Sequence, residues 1–363
     1  MVLATEAFRS SFHESRPTMH SYDITEWGKP LQQAVRETPQ PTGTQVLGKV
    51  QYCGVCHSDV HIREGFFELG GGKRFHMTER GMKLPHTMGH EPYGQLVALG
   101  PQAQGLADVT VGQSYLVYPW TGCGQCARCA EGKDNWCMTP KFLGVQSPGG
   151  YADHLLVPHP KYLVDTTGID PTFAPILACS GLTTYSAVKK LLPCNPNDAI
   201  VVMGAGGLGL MAIAMLKALG HQHIVVGEVD ETKWATARDM GASLTFNPQA
   251  SDALQQLQAV PGGLWGVLDL VGVDATAQLG VAALRKGGRY VVVGLYGGEL
   301  PLSTVPLAQR ALTVQGSYVG DLAELREVVA MAKAGQIKAL PTALCQPDEI
   351  SGVLDRLKNG QVI

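Results

Sequence analysis

The chain has 363 residues and a formal net charge of −3, and this length predicts about two domains. It has no block of like charges, which excludes the electrostatic footprint of a nucleic-acid-binding protein or of a protein held on an anionic membrane. No apolar run reaches the roughly 18 residues that a membrane span requires. We therefore expect its partners to be small molecules and other subunits.

The N-terminal segment is interrupted by the charged residues Glu6, Arg9, Glu14 and Arg16. It lacks the apolar core of a signal peptide, so we predict a cytoplasmic protein. Six of the nine cysteines fall in two tight groups. Because thiols stay reduced inside cells, these groups indicate metal binding rather than disulfides.

The first half of the chain is predicted to be rich in β-structure. An apolar, β-branched stretch runs over Gln45–Val50, and short apolar runs broken by glycine continue over Leu96–Val117. Between them, the segments Cys56–His61 and Gly89–Glu91 supply thiolate, imidazole, hydroxyl and carboxylate groups, which an open zinc site and its supporting residues require. Either segment alone is ambiguous, because a histidine beside a glycine is more often structural.

Four further cysteines lie on a glycine-rich loop with the spacing C-x2-C-x2-C-x7-C: Cys123, Cys126, Cys129 and Cys137. This spacing lets four thiolates surround one tetrahedral ion, which predicts a structural zinc without an open position. A zinc ribbon that binds nucleic acid is the alternative. The acidic residues Glu131 and Asp134 offset the nearby Arg128 and Lys133, so we rank that alternative low.

After Gly181 the sequence alternates between apolar strands and helical patterns, which is typical of a doubly wound parallel sheet. The helix predicted over Leu208–Leu219 is apolar nearly all round, as expected for a helix packed on a sheet. The predicted strands are Ala199–Met203, Ile224–Val229, Leu264–Leu270 and Arg289–Gly294. Helices over 322–335 and 348–360 are expected to return to the first domain. The predicted division is 1–180, 181–318 and 319–363.

The first strand of this sheet runs into a G-x-G-x-x-G motif, in which a tight turn aims a helix N-terminus at a pyrophosphate. Its candidate cofactor-binding residues are Gly204, Gly206, Gly207, Leu208 and Gly209. Glycine-rich turns also serve packing alone. The next strand, however, ends near Glu228, at the distance expected for a carboxylate that binds the adenosine ribose. A carboxylate repels a 2′-phosphate, so we predict NAD rather than NADP; Asp230 is the second choice for this role.

Four motifs in this order resemble the zinc-containing alcohol dehydrogenase family, within the medium-chain dehydrogenase/reductase superfamily. They are GVCHSD at 54–59, GHE at 89–91, the four-cysteine loop and GAGGLG at 204–209. The resemblance covers nearly everything from Thr18 onward. It implies an α/β protein with a GroES-like, β-rich catalytic domain carrying both zinc sites, and a Rossmann doubly wound coenzyme domain. The implied activity is reversible hydride transfer from a primary or secondary alcohol to NAD.

The resemblance also implies the ligands of the catalytic zinc: Cys56, His90 and Cys179. Spacing alone does not identify Cys179. A cysteine at this position resembles the alcohol dehydrogenases, because related polyol and threonine dehydrogenases typically place a glutamate among their ligands. Asp59 and Glu91 match supporting positions that orient the site, whereas Cys53 is usually not a ligand.

By the same resemblance, Ser58 takes a proton from the alcohol and relays it through the nicotinamide ribose to His61. His61 would release it to solvent, with the ordinary histidine pKa of about 6.5; a surface histidine without a role is the alternative. His57 matches a position near the coenzyme pyrophosphate, and Lys233 is a further candidate for cofactor binding. Phe67 and Trp120 match aromatic residues of the substrate pocket.

The chain departs from the family pattern in three segments. Residues 62–88 are longer than is usual, and the segment is either a reshaped substrate entrance or a surface loop without a role. The first 17 or so residues resemble an extension, and the sequence stops at 361–363, where relatives often add a strand. Cys194 and Cys345 have no metal partner in the sequence, so burial as small apolar residues is expected.

Two alternatives remain open at this stage. One is a relative that acts on a specialised substrate such as a polyol, an amino alcohol or an aldehyde adduct. The other is a non-catalytic member of the superfamily. The resemblance further implies a homodimer or homotetramer that associates through the edges of its coenzyme domains, with two zinc ions per subunit.

Overall fold

The computed structural model describes residues 17–362. Two predicted features therefore lie outside the described residues. One is the N-terminal extension, apart from Pro17, and the other is the last residue of the segment 361–363, Ile363. The strands are β1 Thr18–Ile24, β2 Gln32–Glu37, β3 Val46–Cys53, β4 Phe66–Glu68, β5 Arg74–His76, β6 His86–Thr87, β7 Pro92–Leu99, β8 Ser114–Val117, β9 His154–Val157, β10 Leu163–Asp165, β11 Ala199–Met203, β12 Ile224–Gly227, β13 Leu244–Phe246, β14 Leu264–Asp269, β15 Leu284–Val292 and β16 Thr313–Gly316. The helices are α1 His57–Glu64, α2 Ala127–Ala130, α3 Ser180–Lys189, α4 Gly207–Ala218, α5 Trp234–Met240, α6 Ala253–Gln258, α7 Asp274–Ala283, α8 Thr304–Gln309, α9 Leu322–Lys333 and α10 Ile350–Lys358. None of these helices is long and apolar enough to cross a membrane.

The first half of the chain is built from antiparallel sheets, which confirms the β-rich prediction. One sheet has the strand order β10-β8-β7-β3-β9, and a second has the order β2-β1-β6. Helix α1 follows directly after β3, and a glycine in the left-handed region, Gly65, ends it. The end of β3 and the start of α1 therefore hold the Cys56–His61 segment on rigid structure.

The second half forms a sheet of six parallel strands in the order β13-β12-β11-β14-β15-β16. Numbered from β11, this is the order 3-2-1-4-5-6 of a doubly wound dinucleotide-binding fold. The order reverses between β11 and β14, and the loop after β11 opens at that switch point. Helix α4 is buried from Gly209 to Leu216, as its apolar sequence predicts.

Several predicted boundaries differ from the structure by a few residues. Strand β12 ends at Gly227 rather than Val229, and β15 begins at Leu284, five residues before the predicted start. The pairing of β14 with β15 shifts register between Leu264 and Gly266. Such an irregularity breaks the apolar periodicity on which a sequence prediction relies, which explains the late predicted start.

The unusual segment 62–88 contains a two-stranded hairpin, β4–β5, and lies against the loop after β15. A Cβ at Gly70 would stand 2.5 Å from Cγ of Glu299, and one at Gly297 would stand 2.5 Å from Cβ of Glu68. Both glycines have positive φ. The hairpin and the parallel-sheet half therefore approach each other closely here, so the segment packs against the rest of the fold; a role at the substrate entrance stays a prediction.

At the C-terminal end, helix α10 lies against α1. Arg63 pairs with Asp355 at 2.8 Å, and Lys358 pairs with Glu64 at 3.1 Å. Cys345 precedes this helix and is exposed, while Cys194 is only partly buried. The expectation that both cysteines are buried is therefore wrong for Cys345, because it lies in an extended segment outside the core.

Candidate metal and coenzyme sites

The start of helix α1 organises the first site. Cys56 occupies the N-cap in an extended conformation, and its backbone N–H donates to Oδ2 of Asp59 at 3.0 Å. The other oxygen of Asp59 accepts from Nδ1 of His90 at 3.0 Å. A single buried carboxylate thus fixes both the loop that carries Cys56 and the ring of His90.

Three predicted zinc ligands converge from distant parts of the chain. Sγ of Cys56 lies 3.1 Å from Nε2 of His90 and 4.0 Å from Sγ of Cys179. A tetrahedral zinc would separate sulfur from nitrogen by roughly 3.5 Å and sulfur from sulfur by roughly 3.8 Å. The three donor atoms therefore fit around one zinc ion with only small adjustments.

Glu91 lies closer to this centre than its predicted supporting role requires. One of its carboxylate oxygens belongs to the group of donor atoms formed with Cys56, His90 and Cys179, all within 4.8 Å of one another. The Oε2 atom is buried and has no hydrogen-bond partner. Burial also raises the pKa of Glu91 well above its usual value. A buried carboxylate with one unsatisfied oxygen, beside two thiols and an imidazole, is suited to a bound cation.

The electrostatics of the centre favour charge on sulfur. A hydrogen bond from the thiol of Cys179 holds the pKa of Cys56 well below its usual value. Burial opposes protonation of His90, but the negative charges of Asp59 and Cys56 outweigh it and raise the pKa of His90. The site thus already stabilises a thiolate, the form in which cysteine binds metal.

The four-cysteine loop forms a second group of donor atoms. The Sγ–Sγ distances are 3.5 Å for Cys126–Cys129, 3.8 Å for Cys126–Cys137 and 4.0 Å for Cys123–Cys129. They lie near the roughly 3.8 Å expected around tetrahedral zinc. The buried carboxylate of Asp134 braces the loop by accepting from the hydroxyl of Tyr162 at 2.8 Å. The structure brings together all four residues that the spacing singled out.

The glycine-rich loop after β11 has an open backbone surface. A Cβ at Gly206 or Gly207 would meet no atom within 4 Å, whereas one at Gly209 would clash with the carbonyl group of Gly204. Gly204 also has a φ of +95°, which favours glycine. The loop is therefore closely packed at Gly204 and Gly209 and open to solvent at Gly206 and Gly207. Helix α4 begins on the open side, and its second residue, Leu208, is half-buried.

Glu228 directly follows β12 and faces this loop. Its Oε2 accepts from the backbone N–H of Ala205 at 2.8 Å, and its Oε1 accepts from that of Asp230 at 2.9 Å. The carboxylate is thus fixed beside the predicted pyrophosphate loop. Nζ of Lys233 lies 3.8 Å from Oδ2 of Asp230, so both secondary candidates lie just beyond the same strand.

An unexpected residue from the parallel-sheet half, Tyr296, contacts His57, a predicted coenzyme contact, and lies near His61 of the predicted relay. Its hydroxyl lies 2.9 Å from Nε2 of His57, and its ring is 6.0 Å from that of His61. Ser58 follows His57 in α1, three residues before His61, so these positions are neighbours on the helix surface. Tyr296 follows β15 at the carboxyl edge of the sheet, where ligands of such folds bind. Its place just after a strand of the parallel sheet is the feature of the sequence from which Tyr296 could have been predicted as a site residue.

The prediction of an ordinary pKa for His61 is wrong. Its ring packs 4.9 Å from Phe67 and 5.3 Å from the ring of His57. Burial and the adjacent His57 lower the pKa of His61 to about 4. His61 is therefore neutral at physiological pH.

Trp120 lies beside the metal centre. Its ring is 5.4 Å from that of His90, and its Nε1 donates to the carbonyl of Ala178 at 3.0 Å, next to Cys179. Phe142 and Tyr318 extend this aromatic wall, with ring separations from Trp120 of 5.4 and 6.4 Å. Phe67 instead lies against His61 and is almost fully buried.

Comparisons with known proteins agree with this arrangement. Residues 42–167 match the family model described as the alcohol dehydrogenase GroES-like domain, and residues 207–334 match that of the zinc-binding dehydrogenase. The chain is 35% identical over 348 residues to an NAD-dependent alcohol dehydrogenase of Sulfurisphaera tokodaii, covering 95% of this chain and 98% of the relative. A protein of Saccharolobus solfataricus with the same description is also 35% identical, with the same coverage.

Solved structures are similar over the same length. The alcohol dehydrogenase of Aeropyrum pernix superimposes with a TM-score of 0.82 at 29% identity, covering 94% of this chain and 97% of that one. A cobalt- and zinc-bound alcohol dehydrogenase of Pyrobaculum aerophilum has a TM-score of 0.81 at 26% identity, covering 96% and 98%.

Proposed function

Because this chain belongs to the zinc-containing alcohol dehydrogenase family of medium-chain dehydrogenases/reductases, we propose that it oxidises a primary or secondary alcohol with NAD, reversibly, to the aldehyde or ketone. The observation that carries this proposal is the convergence of Cys56, His90 and Cys179 on one point. Two domains, one GroES-like and one Rossmann-like, supply the zinc and NAD sites that such chemistry requires.

We assign Cys56, His90 and Cys179 as the ligands of the catalytic zinc, with Glu91 close enough to join them. When bound, zinc supplies a Lewis-acidic charge that makes a hydroxyl more acidic and polarises a carbonyl. Asp59 holds Nε2 of His90 toward the centre by accepting from Nδ1. Trp120 covers one side of His90 and excludes water there.

Ser58 and His61 carry the proton in this proposal. The hydroxyl of Ser58 accepts the proton that leaves the alcohol, and His61 subsequently passes it toward solvent. The low pKa of His61, about 4, keeps its ring neutral between transfers and makes it release an accepted proton readily. In the reverse direction the same residues return a proton to the nascent alcohol.

The coenzyme is assigned to the loop 204–209 and to the carboxylate of Glu228. The open faces of Gly206 and Gly207 leave the backbone N–H groups at the start of α4 available to a pyrophosphate. His57 and Lys233 are further coenzyme contacts in this proposal. NAD supplies the hydride acceptor, and the negative charge of Glu228 disfavours the 2′-phosphate of NADP.

The second zinc is assigned to Cys123, Cys126, Cys129 and Cys137, where four protein ligands leave no position for a substrate. Its role is then to stabilise the loop. The six thiolates of the two sites require a reducing compartment, which supports a cytoplasmic location. Fractionation of cells would test that location.

We further propose a homodimer or homotetramer. Strand β16 pairs with β15 on one side, and within the described residues its other side is an edge of the six-stranded sheet. Exposed Val305 and Leu302 lie in the preceding segment. Pairing of two β16 edges would cover this surface. Light scattering on purified protein tests the oligomer, and a monomer would contradict it.

The division at 1–180, 181–318 and 319–363 also stays a proposal. It is supported by the ion pairs that connect α10 with α1.

The test of the proposed activity is the formation of reduced nicotinamide when zinc-loaded protein meets a panel of primary, secondary and aromatic alcohols. Activity with NAD across part of the panel is expected. Failure of the protein to take up zinc, together with a lack of activity, would instead indicate a non-catalytic relative.

A further inference from the structure

Arg80 lies in the unusual segment 62–88 and has no role in the mechanism proposed above. Its Nη2 donates to the hydroxyl of Tyr318 at 3.1 Å. Its guanidinium carbon is 5.7 Å from the ring centre of Phe67 and 5.9 Å from that of Phe75. The cation is therefore partly enclosed by aromatic side chains.

Within residues 17–362, no carboxylate lies within ion-pairing distance of Arg80. Arg74, in the adjacent hairpin, provides the contrast. Its guanidinium pairs with Glu68 at 2.9 Å and lies 3.9 Å above the ring of Phe66. The charge of Arg74 is thus already paired, whereas that of Arg80 lacks an acidic partner among the described residues and can take an external anion.

The rings around Arg80 connect it to the proposed reaction centre. Phe67 lies 4.9 Å from the ring of His61. Tyr318 lies 6.4 Å from Trp120, which in turn lies 5.4 Å from His90. Arg80 is therefore one ring away from the proton-relay histidine and two rings away from a zinc ligand.

We infer that Arg80 is a specificity-determining residue that binds an anionic group on the substrate, at the end remote from the reacting hydroxyl. This inference rests on the proposed alcohol dehydrogenase activity and names its substrate class: an alcohol or aldehyde with an aromatic or similarly long apolar body and a distal carboxylate. The ring of Tyr318, which is 38% exposed, offers the apolar body an aromatic surface, and buried Trp120 and Phe142 pack behind it. The planar guanidinium binds the carboxylate through two parallel N–H···O bonds.

The competing explanation is purely structural. The hydrogen bond from Arg80 to Tyr318 joins the segment 62–88 to the residues that follow β16, and it would hold the cleft together without any substrate. A structural role would affect neutral and anionic substrates equally. A specificity role affects mainly the anionic ones.

The test compares kcat/KM for 4-(hydroxymethyl)benzoate with kcat/KM for benzyl alcohol, using NAD and the zinc-loaded protein. The two substrates differ only in the distal carboxylate. We expect the wild-type ratio to exceed one and to fall about tenfold in Arg80→Gln, because a charge-assisted bidentate bond is lost. Arg80→Lys keeps the charge without the fork, so its ratio should be intermediate. In the matched control Arg74→Gln, the ratio should equal that of the wild type.

A binding measurement separates the inference from the chemistry. Amides resemble the aldehyde but accept no hydride, so 4-carbamoylbenzoate and benzamide can be titrated calorimetrically into the enzyme saturated with reduced coenzyme. The carboxylate should tighten binding in the wild type and not in Arg80→Gln.

The outcomes are distinguishable. Two results overturn the inference on Arg80 and leave the proposed function standing. In one, alcohols are oxidised but the carboxylate does not raise kcat/KM. In the other, Arg80→Gln lowers kcat/KM equally for both substrates. If no alcohol reduces NAD, the proposed function fails, and the amide titration alone decides whether Arg80 binds the anion.

Discussion

Asp59 accepts a hydrogen bond from Nδ1 of His90 at 3.0 Å, and the side chains of both residues are almost completely buried. The second oxygen of Asp59 accepts from the backbone of Cys56. One carboxylate therefore positions two of the three proposed zinc ligands, which come from different segments of the chain.

Asp59→Asn should weaken binding of the catalytic zinc by about 10- to 100-fold, because the amide no longer orients and polarises His90 as a carboxylate does. Competition with a chromophoric chelator measures the change. Asp153→Asn is the matched control, since Asp153 also accepts from a histidine, His20, at 3.1 Å but at an exposed position. Equal zinc affinity in both variants would contradict the role of Asp59.

Cys129→Ser should reduce the zinc content from two ions per chain to one, because residues 17–362 hold two groups of donor atoms and this change opens only the four-cysteine one. The melting temperature should fall, since a structural zinc contributes directly to folding. Metal analysis and calorimetry measure both effects. Cys345→Ser, at an exposed position, serves as the control and should change neither the zinc content nor the melting temperature. Retention of both ions in Cys129→Ser would argue against the assignment.

Glu228→Gln should lower the ratio of kcat/KM with NAD to kcat/KM with NADP by about tenfold, because it removes a negative charge that repels the 2′-phosphate. The amide oxygen can still accept from Ala205, so the loop is preserved better than in an alanine variant. Asp230→Ala is the control, because Asp230 lies beyond the strand. A larger change in that control would transfer the role to Asp230.

The pKa of His61 predicts a specific titration. Because burial lowers it to about 4, the ring should stay neutral as the pH falls from 7 to 5. Below an unfolded-state pKa of about 6.5, the unfolded chain binds this proton more readily than the folded one. His61 therefore destabilises the fold progressively as the pH falls through this window.

Nuclear magnetic resonance of the histidine ring measures this pKa. Tyr296→Ser should raise it toward the ordinary value, because the change admits water beside His57 and His61. A midpoint near 6.5 in the unsubstituted protein would refute the buried setting of His61.

Local signals account for what the sequence predicted well. The cysteine spacing at 123–137 and the glycines at 204–209 act within a few residues of each other, so their geometry follows from the loop itself. Glu228 was identified because strand and helix lengths fix the distance from the glycine-rich loop to the end of the next strand.

Contacts between distant segments account for what the sequence left open. Cys179 reaches Cys56 because the turn just before it, Ala174–Ala178, packs against β7 and β8. The spacing of the cysteines in the sequence does not indicate this packing. Tyr296 and Arg80 contact the proposed site from loops whose paths are set by tertiary structure. The burial that lowers the pKa of His61 arises from the same contacts, so a model-compound value was misleading.

The most direct test of the central claim is near-ultraviolet absorbance of reduced nicotinamide, with zinc content measured in parallel, for the wild type, Cys179→Ala and Cys53→Ala. Cys53 lies close to the site but outside the group of donor atoms. The account predicts alcohol-dependent reduction of NAD by the wild type and by Cys53→Ala, and loss of both activity and one zinc ion in Cys179→Ala. Full activity and full zinc content in Cys179→Ala, or no reduction of NAD by the zinc-loaded wild type with any alcohol, would contradict it.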